Sequence, residues 1–349
     1  MALLPLETIR DGFRTDPSLF PQNLDLARGA LLVLLLDEPA FRAASFLDDR
    51  ILSPQLQGRW VGFEEVADRR PPMPPQRPLH FIFHTGHVGS TLVSRLLDEI
   101  DGVLGLREPM ALRVLAAAAA DLDAPHALVG PAEWASLLDL LLACWGRGYA
   151  DTGSIVVKAT SSASTCCEAI AQALPATRAI LLNLQPEPYL ATLLAGQNTP
   201  LDLRGQAQER MRRLLRIAPS PEKPLHALSL GEIAAMTWTV ETLTHRAAER
   251  RFGERMLRID FDAFLAAPDI VLRKICAHFQ MAVPDDRFAR VRSSATLTRY
   301  SKAPEHSYSP DLRREVLTAS RMQNAAEIRR GMGWIEAFAR RYPEHASAL

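Results

Sequence analysis

Residues 81–97 read FIFHTGHVGSTLVSRLL, from Phe81 to Leu97. An apolar run enters a short loop, His84-Thr85-Gly86-His87-Val88-Gly89-Ser90-Thr91, and the loop enters a segment with Leu92, Val93, Leu96 and Leu97 at helical spacing. The pattern predicts strand, loop and amphipathic helix in succession. Gly86 and Gly89 permit a tight turn and a close approach of backbone to a ligand. Amides of the loop and first helical turn then converge on one point, where the helix N-terminus adds positive potential and Ser90 and Thr91 add hydroxyls. The chemistry this suits is the binding of a phosphate-like anion. The plainer reading is an ordinary strand-to-helix turn capped by a serine. The loop is not a Walker A motif, which needs GxxxxGK[ST], because Ser90 rather than Lys follows Gly89.

Working outward, Leu79 to His84 reads as a buried strand, and Ser90 to Ile100 as the helix. Val103–Leu106, Ser154–Val157, Arg178–Leu184 and Met256–Phe261 read as further strands. Trp134–Trp145, Cys166–Leu174, Gly231–Arg251 and Phe264–Phe279 read as helices. Strands alternating with helices predict an α/β fold, a mostly parallel sheet flanked by helices in three layers, with ligands bound beyond the carboxyl ends of the strands. Upstream, residues 69–78 (RRPPMPPQRP) hold five prolines and read as a linker. The division expected is an N-terminal helical or irregular segment, residues 1–78, with Ala27–Leu36 as a buried helix, and a main domain, residues 79–349, ending in a helical cap.

The 349 residues balance 40 Lys+Arg against 40 Asp+Glu, so formal charge excludes partners selected by bulk charge, such as nucleic acid or an anionic membrane. Only Lys158, Lys223, Lys274 and Lys302 are lysines, and the other basic residues are arginines, whose forked guanidinium suits phosphate and sulfate. Four cysteines (Cys144, Cys166, Cys167, Cys276) in so long a chain make no disulfide scaffold, and no CxxC pair suggests zinc. The N-terminus lacks a basic stretch followed by a long apolar run, and the longest apolar stretch, Ala30–Leu36, is too short to span a bilayer, so a cytoplasmic setting is expected.

At this point the loop resembles the 5′-phosphosulfate-binding loop of the sulfotransferase branch of P-loop proteins, usually PRSGTT or PKSGTT. Three more blocks fall in that family's order: Arg107-Glu108-Pro109, Arg178–Thr192 (RAILLNLQPEPYLAT) and Leu257–Phe279 (LRIDFDAFLAAPDIVLRKICAHF). Together they cover residues 79–286. The resemblance implies a divergent, bacterial-type sulfotransferase with 3′-phosphoadenosine 5′-phosphosulfate as donor, no metal, and a small-molecule or peptide acceptor, with a homodimer admitted. It places Thr85, Gly86, His87, Val88, Gly89, Ser90, Thr91 and Thr192 on the donor. The chain departs from the family at His87 (usually basic), Val88 (usually Ser), Leu184 (usually the Arg facing the 3′-phosphate) and Thr192 (usually Ser). Replacements for the missing charge are sought at Arg204, Arg210, Arg212 and Arg213, or at Arg299 and Lys302.

Sulfuryl transfer needs in-line positioning, charge neutralisation and a base for the acceptor. Glu108, beyond the second strand, is the first choice as base, against a plain salt bridge to Arg107 or Arg113. Lys158, ending SIVVK, is placed to stabilise the leaving group. His84 is a further candidate for base or acceptor contact, against a packing role. The alternatives on the same fold are a small-molecule kinase, for which the loop Lys is missing, and a non-catalytic nucleotide-binding or assembly protein, which Leu184 and Val88 favour. The arginines of residues 204–216 read either as a solvated helix face or as a lid over the anion.

Overall fold

The computed structural model describes residues 1–196, 198–299 and 309–349. The N-terminal segment holds four strands, β1 (Ala2–Leu3), β2 (Leu19–Asp25), β3 (Ala30–Leu35) and β4 (Gln57–Gly62), in the order β1-β4-β3-β2. This corrects the expectation of a helical or irregular segment. The apolar run expected as a helix is β3, paired antiparallel to β2 on one side and β4 on the other. Leu31 to Leu34 are all buried, and a short run apolar all round has no periodicity to separate a central strand from a buried helix. The turn before it was the available signal, with Gly29 at φ 61°.

The main sheet holds β5 (Leu79–His84), β6 (Val103–Arg107), β7 (Ser154–Lys158), β8 (Ala179–Asn183) and β9 (Met256–Asp260). Its order is β6-β7-β5-β8-β9 and every pairing is parallel. The α/β architecture with a parallel sheet between helices is therefore as expected. Side chains alternate between two cores, as a period of two requires. Phe81, Phe83, Ile155, Val157 and Leu181 join one core, which also contains Leu31, Val33 and Phe41 of the N-terminal segment. Ile82, Val156, Ile180 and Leu182 join the other, with Leu96, Trp238 and Phe264 from the helices. The first 78 residues thus complete a core of the main sheet.

β5 lies at the centre. Its outgoing connection reaches β6 on one side, while β7 connects across it to β8 on the other. The carboxyl end of β5 is where connections part in opposite directions, and such a point leaves a crevice for a ligand. The glycine loop leaves β5 there. One expected helix is two, Phe261–Ala266 and Pro268–His278, because Pro268 ends the first.

Candidate functional site: an anion loop facing a buried ion pair

The loop turns with three departures from ordinary backbone within four residues: Gly86 at φ 94°, His87 at φ 53° and Gly89 at φ 69°. Gly89 is the N-cap of the Ser90–Asp98 helix, and a Cβ there would lie 1.9 Å from the Phe261 ring. The Val88 side chain is fully buried, so that residue offers only its amide. Among the described residues, the amides of Val88, Gly89, Ser90 and Thr91 meet no acceptor, and the buried hydroxyls of Thr85 and Thr91 have no hydrogen-bond partner. Buried donors are normally satisfied. A row of unsatisfied ones at a helix N-terminus is suited to an anion.

These groups open on a cavity of about 520 Å³, also lined by Glu108, Lys158, Thr192, Arg299 and Arg313. Lys158, at the end of β7, is 1% exposed and its ammonium is hydrogen-bonded to the Glu108 carboxylate. Glu108 follows β6 directly, at φ 56°, with its amide donating to the Lys158 carbonyl at 2.7 Å. A non-glycine residue in the left-handed region is uncommon and clusters at functional sites. The structure therefore brings the two expected catalytic residues together, and the partner of Glu108 is Lys158 rather than Arg107.

Arg107 is fully buried and serves the scaffold. It donates to the carbonyls of Phe41, Arg42 and Ala44 at 2.7–2.9 Å and pairs with Asp98 at 3.3 Å, fastening the N-terminal segment to the edge strand β6. The amide of Leu47 donates to the Arg107 carbonyl at 2.7 Å. This fastening carries Phe46 to the site: the Arg50 guanidinium stacks on its ring at 3.3 Å and the Lys158 ammonium sits 5.7 Å from the ring centroid. Phe46 and Arg50 carry no motif that would have marked them in the sequence.

His84 ends β5 and is nearly buried. Its Nδ1 accepts from the Gly86 amide at 3.1 Å and its Nε2 faces the Ala159 carbonyl at 2.9 Å. Both ring nitrogens thus serve backbone. His87 is exposed on the cavity side. Thr192 lines the cavity, but its hydroxyl donates to the Pro188 carbonyl at 2.7 Å.

The arginine-rich segment is split: Arg204, Arg212 and Arg216 lie on a solvated face, as one reading had it, while the other two point inward. It forms the Thr199–Ile217 helix, and Arg210 and Arg213 are buried rather than solvated or placed over the anion. Arg210 lies 2.8 Å from Glu241, and Arg213 contacts the same carboxylate at 2.9 and 3.2 Å. Burial acts against the Glu241 charge, but the guanidiniums of Arg210 and Arg213 outweigh it and hold that carboxyl below its ordinary range. Arg212 is paired with Asp121 at 3.0 Å, and Arg204 is exposed. None of the four lines the cavity. Leu184 is core, and its carbonyl accepts from the Trp238 indole at 2.9 Å.

Arg299 lines the cavity as expected, while Lys302 lies outside the described residues. Arg313, from the Pro310–Gln323 helix, was not anticipated. It pairs with Asp262 at 2.8 Å and lies over the Phe261 ring at 5.6 Å. The helix is held in place by Ser320, whose hydroxyl donates to the Ala191 carbonyl at 2.7 Å, and by an Arg321–Glu187 pair at 2.7 Å.

No protein-family model matches the chain, and no curated protein sequence does. Among solved structures it is similar to a sulfotransferase from Mycobacterium avium, at 16% identity over 74% of this chain and 79% of that one, with a TM-score of 0.40. It is similar to the sulfotransferase domain of the olefin synthase of Synechococcus PCC 7002, at 14% identity over 77% of this chain and 97% of that one, TM-score 0.39. A mouse sulfotransferase complexed with PAP is also similar, at 12% identity over 63% of this chain and 65% of that one, TM-score 0.34. These are members of the family that the loop resembles. The functional reading rests on the residues of the site. No helix of the described residues is long and apolar enough to cross a membrane.

Proposed function

We propose that the protein transfers a sulfuryl group from 3′-phosphoadenosine 5′-phosphosulfate to a hydroxyl or amine of a small-molecule or peptide acceptor. The observation that supports this is the row of unsatisfied amides at residues 88–91 opening on the same cavity as the Lys158–Glu108 pair. The residues fit the phosphosulfate end of such a donor, through those amides and the unpartnered Thr91 hydroxyl. The family's Arg for the other end is replaced by buried Leu184, and Arg299 and Arg313 line the cavity beside Lys158.

When bound, the donor supplies an activated sulfuryl group. Glu108 accepts the proton of the acceptor hydroxyl or amine as the new S–O or S–N bond forms. Lys158 neutralises charge gathering on the phosphate oxygen that leaves. The loop amides hold that phosphate in line.

A second reading, a non-catalytic nucleotide binder, is favoured by Leu184 and Val88. Calorimetry and thermal shift with adenosine 3′,5′-bisphosphate, ATP and ATP-Mg²⁺ separate the readings, because a ligand that binds only the native state raises its stability. Stabilisation by the bisphosphate is the expected result. A preference for ATP-Mg²⁺ would favour a kinase, and no response to any of them would remove the nucleotide reading. Bisphosphate binding without transfer to any of a broad acceptor panel would favour the non-catalytic binder.

A further inference from the structure

The Thr85 carbonyl and the Gly86 amide belong to one planar peptide group, so their directions are fixed to each other. Both ends of that group are held by buried side chains. The Tyr189 hydroxyl donates to the Thr85 carbonyl at 3.1 Å, and His84 Nδ1 accepts from the Gly86 amide at 3.1 Å. Tyr189 is 1% exposed and His84 5%. His84 is itself tied across to the strand beside it: Ala159 donates its amide to the Ile82 carbonyl at 3.0 Å, and its carbonyl faces His84 Nε2 at 2.9 Å. The left-handed turns at residues 86, 87 and 89 follow immediately.

We propose that His84 is the positioning residue of the anion loop, acting as a neutral imidazole protonated on Nε2. As an acceptor at Nδ1 it ties the Gly86 amide to the end of β5, and Tyr189 fixes the other end of the same peptide. The chain then turns so that the next amides, Val88 to Thr91, face the ligand. The tautomer follows from the partners: an amide can only donate and a carbonyl can only accept. In that state the ring has no acceptor left for a substrate proton, so His84 is not the general base. The loop lacks the lysine that pulls phosphate into a Walker A site, and its donors are aimed by a clamped peptide instead.

This proposal rests on the anion-binding reading of the loop, and two measurements keep the failure of each apart. The first needs no ligand: nitrogen-15 spectroscopy of the free full-length protein at neutral pH. It is expected to show His84 as the Nε2–H tautomer, with a coupling across the Gly86 N–H···Nδ1 bond. An imidazolium or an Nδ1–H tautomer overturns the proposal, whether or not nucleotide binds. The second compares His84→Asn, His84→Gln and His84→Phe by calorimetry with adenosine 3′,5′-bisphosphate. The Asn carbonyl can replace Nδ1, whereas the Gln amide can replace only Nε2. Asn is expected to bind within about threefold of the original, and Gln and Phe about tenfold more weakly, the scale of one lost hydrogen bond. Asn as weak as Phe, or all three equal to the original, overturns the role. So does an Asn variant whose affinity holds while kcat falls by about a thousandfold, the behaviour of a lost base. If the unaltered protein fails to bind bisphosphate, the sulfotransferase reading falls and the spectroscopic result still decides the role of His84.

Discussion

Two regions lie back to back: the glycine loop and the arginine-rich Thr199–Ile217 helix behind it. Arg210 reaches to within 3.4 Å of the Ser161 hydroxyl, and Ser161 lies against Gly86. In the sequence the helix carries the charge suited to an anion, and the loop carries almost none. In the fold its two buried charges, Arg210 and Arg213, are spent on Glu241, while the loop keeps its donors unspent. Capacity to bind an outside anion depends on donors left over after folding, and charge already matched by buried carboxylates leaves little over. One region has the chemistry of a site and the other the chemistry of a strut, the reverse of what composition suggests.

The comparison is broken most sharply at the loop's far wall. Glu108→Gln keeps the shape of the cavity but removes the proton acceptor, so kcat should fall by about a thousandfold, the scale of a lost general base. Bisphosphate affinity should stay within about threefold, since the loop is untouched. Steady-state kinetics beside calorimetry checks both. A Gln variant with unchanged kcat would remove Glu108 from the chemistry. On the strut side, Glu241→Ala removes the buried carboxylate that two buried guanidiniums share and leaves them only the part-exposed Glu209, so unfolding free energy should fall by roughly 3 kcal/mol. Urea unfolding measures it, and a loss under about 1 kcal/mol would show that the helix arginines are not held as the structure has them. A third variant, Gly89→Ala, drives a methyl into the Phe261 ring at a backbone angle that alanine resists. Bisphosphate affinity should drop by about a hundredfold, about 2.7 kcal/mol. Pairing it with Phe261→Ala should recover only the steric part.

How much of this was legible follows from which interactions are local. The loop and its flanking strand and helix announce themselves within seventeen residues, because glycine placement and helical spacing are short-range signals. Glu108 and Lys158 were also visible, as charged residues where two apolar strands end. Their mutual pairing was not, since β6 and β7 become neighbours only through the sheet order. The structural role of Arg107 was hidden for the same reason: its carbonyl partners lie more than sixty residues upstream. β3 was lost because an apolar run buried on all sides carries no period. Arg313 was invisible because nothing in a helix of alternating charge says which cation will face a cavity formed 220 residues earlier.

A smaller effect sets the strut region against the rest of the core by pH. His245, behind the strut, contacts the Ser164 hydroxyl at 3.1 Å, and burial, opposed by Glu241, pushes its imidazole down to about 4. Burial likewise pushes His80, on β5, down to about 4, with His278 and Arg178 adding to it. In the unfolded chain both return to about 6.5. Their folded pKa values are depressed, so the unfolded state binds more protons as pH falls below about 6.5, and stability is lost from there down to about 4. Between about pH 7 and pH 5 each histidine should cost roughly 2 kcal/mol. His245→Gln should remove its own share, roughly 2 kcal/mol between about pH 7 and pH 5, from the pH dependence measured by urea unfolding. A slope unchanged in that variant would mean that His245 is not held neutral in the folded state.

The smallest effect tests whether any arginine belongs with the loop rather than with the strut. Arg313 has the position for it, lining the cavity and lying over the Phe261 ring that packs on Gly89. It differs from Arg210 and Arg213 in its partner as well as its place. Asp262 is 43% exposed at the side chain, whereas Glu241 is fully buried. A carboxylate that keeps one side in water holds its partner less firmly than one buried on all sides, so the Arg313 guanidinium can turn to a ligand at lower cost than Arg210 or Arg213. Arg313→Gln should therefore weaken bisphosphate binding by about tenfold, and make what remains less sensitive to salt. Asp262→Asn should do the opposite, by releasing the same guanidinium. Equal affinities in all three proteins would return Arg313 to the strut class, as a cation whose charge is spent on its own fold. Calorimetry at two salt concentrations distinguishes the outcomes, because a structural arginine would shift the unfolding temperature without changing the salt dependence of binding.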